Sequence, residues 1–105
     1  MLYDDKKLIK LYREFNREYH ADELPDDIDV FWSSEGMSEC YGSVWTEDGE
    51  WYLQIDPELH ISMRQAKFTL HHEMAHIASG DMTHEWQFQQ EMRRLADLGA
   101  FRDLW

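Results

Sequence analysis

The 105 residues suit one domain, expected to span 1–105, and leave no room for a second core. Apolar residues make up 43% and aromatics 14%, which is enough for one small core and too much for a disordered chain. Ten Lys and Arg against 22 Asp and Glu give a formal net charge of -12, a field that attracts cations and basic peptides and works against binding DNA or an acidic membrane.

The first residues, Met1-Leu2-Tyr3-Asp4-Asp5-Lys6-Lys7, place acids where a signal peptide has a basic end, and no apolar stretch follows. No run approaches the roughly 18 apolar residues of a membrane span, so the expectation is a cytoplasmic protein with no membrane partner. From Asp4 to about His20 the apolar residues Leu8, Leu11, Tyr12, Phe15 and Tyr19 recur at helical steps and predict an amphipathic helix. Its other side carries Lys6, Lys10, Arg13 and Arg17, a solvated face in which Glu14 and Glu18 are spaced to pair with some of these cations. Asp22 to Asp27 reads as an ordinary acidic loop, lacking the alternating ligands of a calcium site.

Ile28 to Ser33 predicts a strand, with Ile28, Val30 and Trp32 on one face and Phe31 on the other. The only cysteine, Cys40, excludes an internal disulfide and any cysteine-based zinc finger within these residues, and a lone thiol suits a reducing compartment. Tyr41 to Thr46 and Trp51 to Asp56 predict two more strands, joined by a hairpin at Asp48-Gly49. Gly42, near the start of its strand, marks a bulge or a close backbone approach. A three-stranded, mainly antiparallel sheet packed on the first helix is the economical arrangement. From about Ser62 to Ser79 no Gly or Pro interrupts a mostly buried helix, and Gly80 stops it. Asp81 or Thr83 caps the next helix, which runs to about Leu98 with Phe88, Met92 and Leu95 inward. The fold class is therefore α+β: a helix, three strands and two helices.

His72-Glu73-Met74-Ala75-His76 is an HExxH motif inside the predicted central helix. Residues four apart on a helix differ by about 40° in azimuth, so both imidazoles can reach one metal ion. Glu73 is rotated about 100° from His72, where its carboxylate can approach a water on the metal without taking a ligand position. Zinc suits nitrogen donors, and three protein ligands leave its fourth position open for chemistry. The motif arises by chance in roughly 3 of 100 chains this rich in His and Glu, so its surroundings matter. Here a glycine ends the helix four residues after His76, and His84 follows eight residues after His76. The metzincin spacing is six and does not fit. His84 is the favoured third ligand, since it is the only histidine after the motif; the rivals are glutamates of the next helix, Glu91 first and Glu85 second. His71 points about 100° from His72 and is expected to support the ligands or pack in the core. His20 and His60 are expected at the surface or in packing.

These residues resemble the SprT-like zinc metallopeptidases over nearly the whole chain. Phe15-Asn16-Arg17-Glu18-Tyr19 with Leu24-Pro25 is similar to the family's opening helix and its exit, and Ile28 to Trp32 with Tyr41-Gly42 is similar to its sheet. Thr69-Leu70-His71-His72-Glu73-Met74-Ala75-His76 is similar to the family's T-L-x-H-E-x-x-H helix, and His84, Phe88 and Met92 to its H-x-x-x-F-x-x-x-M segment. The resemblance implies a zincin-like peptidase domain, with zinc on His72, His76 and His84 and Glu73 as general base. It implies hydrolysis of a protein or peptide substrate, and the charge favours a basic one. Many members also carry a cysteine zinc ribbon, and some act on proteins crosslinked to DNA; one cysteine and a charge of -12 work against that role here. The competing reading is a non-catalytic acidic binding or regulatory protein, stabilised by zinc. An exposed strand edge beside the helix is expected to hold an extended substrate by backbone pairing.

Overall fold

The computed structural model describes residues 3–36, 41–60 and 62–104; Cys40 lies outside the described residues. Asp4 caps the first helix, α1 (Asp5–His20), by accepting from the Lys6 amide, and the helix buries Leu8, Tyr12, Phe15 and Asn16 on one face. Lys6, Lys10, Arg13 and Arg17 all lie exposed on the other. None of the described ion pairs joins them to Glu14 or Glu18, because two long solvated side chains gain little from being held together. Asn16 fixes the exit from the helix: its side chain donates to the Leu24 carbonyl at 3.1 Å and accepts from the Leu24 amide at 3.0 Å. Tyr12 donates to the Pro25 carbonyl at 2.6 Å, so the loop to the first strand is held by two buried side chains.

The strands are β1 (Ile28–Trp32), β2 (Gly42–Glu47) and β3 (Glu50–Ile55), in the order β1-β3-β2. The Asp48-Gly49 hairpin pairs β2 with β3 antiparallel, as its sequence predicts, with both turn residues at positive φ. The pairing of β1 with β3 is parallel, with Ile28 opposite Trp51 and Trp32 opposite Ile55. The sheet is thus mixed, one pairing of each kind, where mainly antiparallel pairing was expected. After β1 the chain crosses to the far edge, lays down β2 there, and returns β3 through the middle. Alternating hydrophobicity is the same for either direction, and no turn signal fixes a pairing between strands that are not consecutive.

A short 3-10 turn (Pro57–Leu59) leads to α2 (Met63–Ser79), capped by the Ser62 hydroxyl at its start and closed by Gly80 in a left-handed conformation. The last helix, α3 (Trp86–Asp97), has no side-chain cap at Glu85. Asp81 serves it from a distance, accepting from the Phe88 amide at 3.3 Å, while Thr83 accepts from the Glu85 amide. The core has two parts. Leu8, Tyr12 and Phe15 of α1 meet Val30, Leu53 and Ile55 of the sheet and Leu70 and Met74 of α2. On the far side of α2, Ala75 packs with Phe88, Leu95, Ala100 and Phe101. No described helix is long and apolar enough to cross a membrane.

Candidate metal centre

The structure brings His72, His76 and His84 together, the first two from successive turns of α2 and the third from the loop before α3. One ring nitrogen from each lies within 4.8 Å of the others, and the Nε2 atoms of His72 and His84 are 3.2 Å apart. Nitrogens about 2.0–2.1 Å from a tetrahedral zinc lie about 3.3 Å from one another, the spacing of the His72–His84 pair, and the group as a whole is placed to hold a metal ion. Among the described residues it is the one group of His, Cys, Asp and Glu side chains so arranged.

Local structure orients the rings. His76 Nδ1 lies 2.8 Å from the Asp81 carbonyl. A carbonyl only accepts, so Nδ1 carries the proton and Nε2 keeps its lone pair for a metal. The Gly80 turn delivers Asp81 to that position. Phe88 lies under the whole group, 4.3 Å from His76 in a stack, 4.9 Å from His72 and 5.0 Å from His84. Burial, with the other two imidazoles nearby, holds His72 down to about 4. His76 is lowered as well, first by burial. Neutral imidazole is the form that ligates.

Glu73 is buried beside the triad, with a carboxylate oxygen 3.9 Å from His72 Nε2. Burial alone pushes its carboxyl up to about 7. Gly42 explains how β2 comes so close. A Cβ there would lie 2.8 Å from the Thr69 methyl, 3.1 Å from Glu73 Cγ and 3.3 Å from the Gln54 carbonyl. The glycine marks a close approach, not a bulge, since β2 pairs with β3 in unbroken register. Thr69 is itself fixed. His60 Nδ1 faces the Asp56 carbonyl at 2.6 Å and must donate, leaving Nε2 to accept from the Thr69 hydroxyl at 2.7 Å.

The two glutamate rivals stand elsewhere. Glu91 pairs with Arg94, whose Nε is 3.0 Å from its carboxylate, and lies 3.8 Å from His20. Glu85 is exposed at the start of α3 and outside the converging group. His71 is buried in the core, stacked on Phe15 at 4.0 Å. His20 and His60 are buried too, His60 also reaching the cleft wall, where it holds Thr69. The orienting carbonyl of Asp81 and the shelf made by Phe88 were not evident as site features; the signals were Asp81 as a possible cap, and Phe88 as an inward residue and as part of the H-x-x-x-F-x-x-x-M resemblance that begins at His84.

A cleft of about 690 Å³ opens over the triad, between β2 on one side and α2 on the other, with Met82 and Leu104 at its rim. With this geometry in place, the comparison with known families is decisive, because a profile of the SprT-like family matches residues 8–102. The chain belongs to the SprT-like family. The match includes most of α1, the sheet, the HExxH helix and α3, so the SprT-like resemblance read from scattered motifs holds for nearly the whole chain. A search of the curated proteins finds no match.

Proposed function

We propose that this SprT-like chain is a zinc-dependent endopeptidase, with His72, His76 and His84 as ligands and Glu73 as general base. The observation that carries the reading is the convergence of three imidazoles beside a buried carboxylate at the floor of an open cleft. When bound, zinc supplies a Lewis acid for the scissile carbonyl and for the attacking water. Glu73 takes the proton of that water and delivers it to the leaving amine. Its place beside the ligand set, with a carboxylate oxygen 3.9 Å from His72 Nε2, suits it to both halves of that transfer. Burial of Glu73 keeps its carboxylate from being lost to solvent hydrogen bonds.

The cleft favours an extended peptide. Among the described residues β2 pairs on one side only, and its residues Gly42, Ser43 and Val44 line the cleft, so its free edge can add a substrate strand. Glu73 is the only Asp, Glu, Lys or Arg among the described lining residues. No described cation is placed to capture a terminal carboxylate, which favours cleavage within a chain. The net charge of -12 favours basic substrates.

Glu73→Gln tests the mechanism. The variant keeps its zinc and loses hydrolysis of an unfolded protein substrate by at least about 10²-fold, the usual scale for a general base. A variant that cleaves as well as the parent overturns the mechanism. A parent chain that holds zinc and cleaves nothing is instead a zinc-stabilised acidic binding module.

A further inference from the structure

The sheet has a second face. The alternation that buries Ile28, Val30, Leu53 and Ile55 against the helices turns Asp29, Phe31, Trp45, Glu47, Glu50 and Tyr52 the other way. Three aromatic rings gather there, all half-buried and none in either core cluster. Trp45 stacks on Tyr52, with centroids 5.6 Å apart and planes 18° apart, and Phe31 meets Trp45 edge-on at 6.3 Å. Carboxylates rim this platform. Asp29 is in register with Tyr52 across β1 and β3, and Glu47 is in register with Glu50 across the hairpin. Tyr52 donates to Glu50 Oε2 at 3.1 Å. That bond, with the charges of Glu50, Asp29 and Glu47 around it, holds the phenol above its ordinary value.

Two features of this face cost stability in the isolated chain. Like charges directly opposite on paired strands repel, and Glu47 faces Glu50 in this way. None of the described ion pairs brings a Lys or Arg to Asp29, Glu47 or Glu50. A cation from outside would relieve the repulsion. Stacked Trp and Tyr rings offer a cation the negative faces of their π systems, and a planar guanidinium can lie on a ring while donating to a carboxylate at its edge. The three carboxylates form no converging metal site. Polyanions are repelled by the same rim.

We propose that this face binds an arginine-bearing extended segment of another protein, with the guanidinium on the Trp45–Tyr52 stack and paired to Glu47 and Glu50. The surface lies on the side of the sheet opposite the helices, so binding there needs neither the histidine triad nor Glu73, while it shares β2 with the edge proposed for substrate.

The test uses the full chain and a short peptide of alternating Arg and Ser, with a citrulline version as the neutral control. On titration the indole resonance of Trp45 and the amides of the β2–β3 hairpin shift, and the citrulline peptide produces no such shifts. Trp45→Ser and the double variant Glu47→Gln/Glu50→Gln each weaken binding about tenfold. Raising salt from about 0.05 to about 0.5 M weakens it several-fold further. The double variant alters only exposed side chains, so its result stands even where Trp45→Ser folds poorly. Undiminished binding by the double variant, or shifts confined to the cleft over the histidine triad, overturns the proposal.

Discussion

Two neighbouring histidines on α2 have opposite surroundings. His71 turns into the core, where it stacks on Phe15 and meets Tyr19 and Phe101 edge-on, and burial presses its imidazole down to about 4. His72, one residue on, turns into the cleft and faces His84 and His76. The six histidines divide evenly along this line, three converging at the cleft and three packed inside. What separates the sets is where the rings point: His20 Nε2 and His71 Nδ1 end in the interior without a hydrogen-bond partner. His60 has both engaged by protein groups, whereas the cleft set presents nitrogens to one another across a space sized for an ion. Residue type alone does not mark a ligand; direction of the ring and the company of its lone pair do.

The comparison breaks most sharply on metal content. His76→Ala should lower zinc affinity by at least about 10²-fold, so that dialysed protein retains almost none. His71→Phe, which keeps an aromatic ring against Phe15, should retain zinc at the parent level. Equal loss of metal from both variants would erase the distinction between the two faces of α2.

Acidification probes the packed set. Burial, followed by the nearby Arg94, holds His20 down to about 4 from an ordinary 6.5. The unfolded chain therefore takes up a proton there below 6.5 while the native protein does not, and stability falls as pH drops from 6.5 to 4. Up to about 3 kcal/mol is at stake, at 1.36 kcal/mol per unit. Urea midpoints of His20→Gln and the parent, compared at each pH, cancel any contribution from the metal site. The variant should lack this part of the acid slope, and parallel curves would place His20 outside the packed set.

Gly42→Ala sharpens the boundary between strand and site. The added methyl meets Thr69, a buried branched side chain already held by His60, and Glu73 beside it. A loss of about 1–3 kcal/mol is expected from overpacking. Hydrolysis should fall further than stability, since β2 is displaced from the cleft; denaturant melts and turnover at saturating substrate separate the two. The smallest effect belongs to the outer face of α1. Glu14→Gln with Glu18→Gln should shift stability by no more than about 0.5 kcal/mol.

Much of this was legible because local chemistry dictated it. Asp4 and Ser62 at helix starts, Gly80 at a helix end and Asp48-Gly49 at a turn each act within a few residues. The same holds for His72, Glu73 and His76, whose relation follows from helical spacing. The parallel pairing of β1 with β3 was not legible, because it joins segments that no turn relates. His84 was favoured over Glu91 as the only histidine after the motif, and only the tertiary path shows Glu91 drawn off toward Arg94 and His20. The burial of His20 and His60 was hidden for a related reason. A histidine offers no sequence pattern that separates a packed ring from a solvated one.

Phe88 has its ring centroid within 5.0 Å of all three converging imidazoles and also belongs to the cluster that seats α3. An ion that draws the imidazoles together also fixes the floor on which the last helix rests. A metal held by the triad would thus be coupled to the seating of the last helix, and its removal is expected to loosen the C-terminal third along with the three imidazoles.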